Sequence, residues 1–88
     1  MQRRVHVILY SKPGCGLCEE MKKELRKANS LDLYELEEVD IESDAGLFER
    51  YQHDIPVLSI NGVEVFKHRL RSKDFETYLR GAQVLREK

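Results

Sequence analysis

Residues 8–18 read ILYSKPGCGLC, and the rest of the fold is read outward from them. A run rich in β-branched and aromatic residues stops at Pro13-Gly14, and Cys15 and Cys18 open a new pattern directly after it. Extended back to RVHVILYS, the run has the composition of a strand. Its near-continuous apolar character predicts burial on both faces and a central place in a sheet. Beyond the loop, Leu17, Cys18, Met21, Leu25 and Ala28 recur at helical spacing, with Glu19 four residues before Lys23 on the polar side. This predicts an amphipathic helix that starts at or just after Cys15.

The remaining elements follow from local chemistry. YELEEVDI, Tyr34 to Ile41, has strand composition, although Glu37-Glu38 interrupts the alternation. Ser43 is suited to cap a short helix over Asp44–Tyr51, with Leu47, Phe48 and Tyr51 turned inward. In PVLSINGVEVF, Asn61-Gly62 tolerates the positive φ angles of a type I′ turn, so residues 57–60 and 63–66 are expected to pair antiparallel. A basic segment, KHRLRSK, leads to Ser72 as N-cap of a last helix with Phe75, Tyr78 and Leu79 on its apolar face and Gly81 at its end. The order is β-α-β-α-β-β-α. Strands joined through helices are expected to be parallel, and the last two turn back as a hairpin. The expected fold class is α/β, a mixed four-stranded sheet flanked by helices in one domain over 1–88.

Composition narrows the function. The chain has 88 residues, with 15 basic and 16 acidic side chains and a formal charge of −1, so no global field recruits nucleic acid or an anionic membrane. No apolar run approaches the roughly 18 residues of a membrane span. The apolar run from Val5 to Tyr10 is short and contains His6, unlike a secretory leader, so the expected compartment is the cytoplasm, with an organelle left open. Two cysteines without such a leader do not make a disulfide framework.

A thiol at the mouth of a helix sits where unpaired N–H groups and the helix dipole favour an anion. By this argument Cys15 is the nucleophile, and Lys12, three residues earlier, is placed to add positive charge. Cys18 lies about one turn further along nearly the same face and joins the apolar stripe, which makes it the less exposed, resolving thiol. A Cys-x-x-Cys pair is also half of a zinc site, but His6, His53 and His68 show no ligand spacing and no metal ligand is assigned.

The run ILYSKPGCGLC, followed about forty residues later by DIPVLSINGVEVF, resembles the glutaredoxins of the thioredoxin-fold superfamily, and more closely their glutaredoxin-like relatives. The resemblance covers nearly the whole chain. It implies a thioredoxin fold and a thiol-disulfide oxidoreductase, an electron-transport function with Cys15 attacking and Cys18 resolving. It also implies a cis Pro56 facing Cys15, the Ile55 backbone offered to an extended substrate, and glutathione or a protein disulfide as the partner of a monomer. No bound cofactor is needed, with glutathione as co-substrate. Three departures stand out: Gly16-Leu17 replaces the Pro-Tyr of glutaredoxins, KHRLRSK replaces their Gly-Gly turn and acidic residue, and the tryptophan of thioredoxins is absent. In that basic segment Arg69 is the expected anchor for a substrate carboxylate. The alternative class is a binding module: a glutathione-bridged iron–sulfur dimer through Cys15, or a redox-inactive adaptor.

Overall fold

The computed structural model describes residues 5–28 and 34–86, with side chains as far as Gly81. Its elements are β1 (Val5–Ser11), α1 (Gly16–Lys27), β2 (Tyr34–Asp40), a 3-10 turn (Ile41–Ser43), α2 (Ala45–Tyr51), β3 (Val57–Ile60), β4 (Val63–Lys67) and α3 (Ser72–Arg86). The expected order is thus observed. The sheet runs β2-β1-β3-β4, so β1 is central, parallel to β2 and antiparallel to β3. Burial on β1 alternates: Val5, Val7, Leu9 and Ser11 are buried, His6 is exposed, and Ile8 and Tyr10 are half-buried. The strand buried on both faces is β3, from Val57 to Ile60.

One expected direction is corrected. β3 does not run parallel to β2, because it is antiparallel to β1, to which β2 is parallel. Length explains this. The seven residues of α2 rise about 10 Å at 1.5 Å each, whereas a seven-residue strand spans about 23 Å, so α2 cannot carry the chain back along the sheet. The chain turns instead at the end where β1 and β2 finish, and β3 starts there, with Val57 opposite Tyr10.

Local chemistry moves two boundaries. The cap of α2 is Asp44, whose carboxylate accepts the N–H groups of Gly46 at 2.8 Å and Leu47 at 3.2 Å; Ser43 instead donates its hydroxyl to the Asp40 carbonyl. Ser72 is the first residue of α3 rather than its cap, and its N–H donates to the Glu24 carboxylate of α1 at 3.0 Å. Gly81 does not end α3, which continues to Arg86. The hairpin forms as expected, with Asn61 at φ 51° and Gly62 at φ 86°. Asn61 also fastens the turn to β1, its N–H donating to the His6 carbonyl at 2.8 Å and its side chain accepting the His6 N–H at 3.1 Å.

Two apolar clusters divide the interior. The larger joins Val5, Val7 and Leu9 to Met21 and Leu25 of α1, and to Phe75 and Leu79 of α3. The smaller holds Cys18, Ile41, Tyr51, Ile55 and Val57, with Tyr10, Cys15, Leu47 and Phe48 packed against it. The cysteine pair belongs to this second cluster, at the end of the sheet where β1 delivers its loop.

Candidate active site

Gly14 turns the chain out of β1 at φ 79°, a conformation that disfavours a side chain. Cys15 follows in extended backbone as the N-cap of α1, and its Sγ accepts the Cys18 N–H at 3.1 Å. The sulfur thus occupies the place where a helix start receives negative charge. Cys15 and Cys18 are joined in a disulfide with their Cα atoms 5.2 Å apart. Exposure separates them. Cys15 is half-buried, whereas Cys18 is 1% exposed. Gly16 is helical, and a Cβ built on it would meet nothing within 4 Å, so the space beside Cys15 is open to a partner.

Leu17 departs from the expected apolar stripe: it is 40% exposed. A helix turns about 100° per residue, so a stripe that buries Cys18 and Met21 leaves Leu17 on its rim. There Leu17 borders a groove of about 780 Å³ walled by Glu20, Met21, Glu24 and Phe66, by the segment His68 to Arg71, and by Asp74. Arg69 is therefore brought to a groove bordered by Leu17, the residue just before Cys18 in sequence, and lined by neither cysteine.

The Ile55-Pro56 peptide is cis. Ile55 shares its cluster with Cys18, and the Pro56 side chain is buried. The Ile55 N–H donates to the Tyr51 carbonyl at 3.1 Å, and the Pro56 carbonyl accepts the His68 N–H at 2.8 Å. Of the hydrogen-bonding backbone groups of Ile55 and Pro56, the Ile55 carbonyl is the one without an internal partner among the described residues. Lys12 gives its carbonyl to the Cys15 N–H at 3.4 Å and lines a separate recess with Ser11, Glu19, Glu38 and Asp40.

Two networks join residues distant in sequence. Ser11 donates to Glu38 at 2.9 Å, and Lys22 bonds Glu38 at 2.7 Å and Glu19 at 3.0 Å, tying the end of β1 to β2 and α1. Glu19 therefore pairs with Lys22, not Lys23. Lys22 holds the Glu38 carboxyl below its ordinary range, and Glu38 in turn raises the Lys22 ammonium. In the second network Tyr51 stacks on Tyr10 with ring centroids 4.5 Å apart and donates its hydroxyl to Glu64, which also binds Arg50 at 3.1 Å. Glu37-Glu38, where the strand alternation fails, was the one sequence signal for the first network. Among the described residues no group of three or more His, Cys, Asp or Glu side chains could hold a metal, and no helix is long and apolar enough to cross a membrane.

Residues 6–80 match the family described as Glutaredoxin-like domain (DUF836). The chain belongs to this family. The glutaredoxin-like protein YDR286C homolog of Dictyostelium discoideum is 31% identical to it, covering 98% of this chain and 88% of the relative. The solution structure of protein Ne2328 from Nitrosomonas europaea superimposes with a TM-score of 0.73 at 29% identity, over 89% of this chain and 94% of that one. Oxidised thioredoxin from Plasmodium falciparum aligns over 92% of this chain and 83% of its own, with a TM-score of 0.59 at 12% identity, a likeness of fold alone. The glutaredoxin-like chain thus has the thioredoxin fold, with its Cys-x-x-Cys pair at the start of α1.

Proposed function

We propose that the protein is a dithiol–disulfide oxidoreductase that reduces glutathione mixed disulfides or protein disulfides. The observation that carries this reading is the asymmetry of the pair: the Cys15 sulfur caps a helix and is reachable, while Cys18 is buried one turn behind it. In the reduced protein the Cys15 thiolate attacks one sulfur of the substrate disulfide, and the other sulfur leaves as a thiolate and takes up a proton. Cys18 then loses its proton and attacks the Cys15 sulfur. The second substrate thiol is released, two electrons have passed to the substrate, and the Cys15–Cys18 disulfide remains. A second dithiol or two molecules of glutathione return the electrons.

Around this chemistry, Lys12 adds positive charge near the attacking sulfur, and the Ile55 carbonyl beside Pro56 accepts a backbone N–H from the substrate. Arg69 receives a substrate carboxylate. No bound cofactor takes part, and glutathione enters as co-substrate.

The test is Cys18→Ser. On exposure to oxidised glutathione or a model protein disulfide, mass spectrometry should find one adduct, on Cys15, that persists. Absence of the adduct sinks the two-step mechanism. Rates for the parent on a glutathione mixed disulfide and a protein disulfide, measured side by side, identify the preferred substrate. An iron-containing, coloured preparation would point to a cluster-binding module instead.

A further inference from the structure

Among the described residues two non-glycine residues have positive φ, Asn61 and His68. The hairpin turn accounts for Asn61. His68, at φ 67°, lies outside any hairpin, and the Arg69 N–H donates to the Lys67 carbonyl at 2.7 Å across it. A bond from residue i+2 back to residue i around a central residue at positive φ is a γ-turn of the strained kind. Glycine would take this backbone at less cost, yet an imidazole is carried here. The turn is held in place from the active site, because the His68 N–H donates to the carbonyl of Pro56.

The strained turn forms part of the groove that starts at Leu17. Among the described residues Lys67 is already paired with Asp54 at 3.7 Å, whereas the side chains of His68, Arg69 and Arg71 have no hydrogen-bond or ion-pair partner. On the helix walls Glu24 is engaged by the Ser72 N–H and by Lys27. The carboxylates of Glu20, which acts on Lys27 only at longer range, and of Asp74 would repel an anion from the helices and leave it the turn.

We propose that His68 is a specificity-determining residue: its imidazole N–H, with the Arg69 guanidinium, receives a carboxylate carried next to the substrate disulfide. Backbone strain at this position is kept because the side chain serves the ligand. The inference rests on the oxidoreductase reading and adds to it the chemical class of substrate preferred. Glutathione and an acidic polypeptide both offer such carboxylates.

The decisive variants are His68→Gly, which keeps the turn and removes the imidazole, and His68→Asn, which tolerates positive φ and keeps an N–H donor. Substrates are a disulfide peptide with Asp and Glu beside the cysteine, its Asn and Gln analogue, and glutathione disulfide. We expect His68→Gly to melt at the same or a higher temperature than the parent while its KM for the acidic peptide rises three- to tenfold. The KM for the neutral analogue and the Cys15 alkylation rate should stay put, and His68→Asn should recover part of the loss. A parallel rise for glutathione disulfide makes the tripeptide a source of the carboxylate; no rise there assigns it to polypeptides. An unchanged acidic-to-neutral KM ratio in His68→Gly, or a lowered melting temperature, overturns the proposal. Should the parent reduce none of the three, the oxidoreductase reading fails by itself. The His68 contact is then judged by titrating the S-methylated acidic peptide against the amide signals of Leu17, His68 and Arg69: movement weakened in His68→Gly upholds it, and its absence in the parent overturns it.

Discussion

The Tyr51 hydroxyl donates to the Glu64 carboxylate at 2.6 Å, and this bond fastens α2 to the edge strand β4 across the cluster that holds Cys18. The Tyr51 carbonyl also accepts the N–H groups of Asp54 and Ile55, so the same residue sets the approach to Pro56. Burial, and then the bond to Glu64, push the phenol up to about 12. The neutral phenol is the favoured form in the fold, so its stabilisation is complete below the ordinary tyrosine value of about 10 and is lost as pH rises through the folded value. Tyr51→Phe should cost about 1 kcal/mol at neutral pH. Urea unfolding between pH 10 and 12 should show a steeper loss of stability in the parent than in the variant.

Glu24 provides the corresponding test in acid. Its carboxyl is lowered first by the hydrogen bond from Lys27 and then by the Ser72 N–H. A depressed carboxyl contributes stability above its unfolded value, and that contribution disappears as pH falls through the folded one. Glu24→Gln should keep an acceptor for Ser72 while flattening this acid dependence, whereas Glu24→Ala should leave the first turn of α3 frayed. Hydrogen exchange at Ser72 to Phe75 would accelerate in the alanine variant above all.

Thiol accessibility makes the third prediction. In the reduced protein, iodoacetamide should label Cys15 well before Cys18, since Cys18 is 1% exposed and packed against Ile41, Tyr51 and Ile55. Peptide mapping after a short pulse gives the order, and faster labelling of Cys18 would reverse the assigned roles.

Phe75 tests the larger cluster. It is wholly buried and packs in a T-shape with Tyr34, 5.0 Å between ring centroids. Phe75→Ala should cost about 3–5 kcal/mol, a large share of the roughly 5–15 kcal/mol that holds a domain together. Phe75→Leu should cost only about 1 kcal/mol by conserving more of the volume. Chemical denaturation of the two variants would separate the cavity effect from the loss of aromatic contact.

What the sequence disclosed was chiefly what neighbouring residues decide. The ILYSKPGCGLC run revealed β1, the loop and α1, because strand composition, Pro-Gly and helical spacing are local signals. Asn61-Gly62 revealed the hairpin for the same reason. Pro56 was expected to be cis from resemblance to the glutaredoxins, and it is. Features that needed partners distant in sequence stayed hidden. Nothing near Ser72 indicates that Glu24, 48 residues earlier, takes its N–H. Nor does Tyr51 declare its bond to Glu64. Gly81 misled because the roughly 1 kcal/mol it costs a helix is small beside the burial of Phe75 and Leu79 on the same element. Ser43 was the expected cap, but the 3-10 turn consumes it and leaves the role to Asp44.

The disulfide joins cysteines three positions apart in sequence, and this has a consequence for what the bond is worth to the chain. Closing so small a ring restricts the unfolded chain by only about 2 kcal/mol in the chain-entropy account, against about 4.7 kcal/mol for a loop of 100 residues. The scaffold is secured elsewhere, by the pairing of β1 with β2 and β3 and by the two apolar clusters. The bond is therefore a poor rivet, and under the proposed function it could open and close without removing the main supports of the fold.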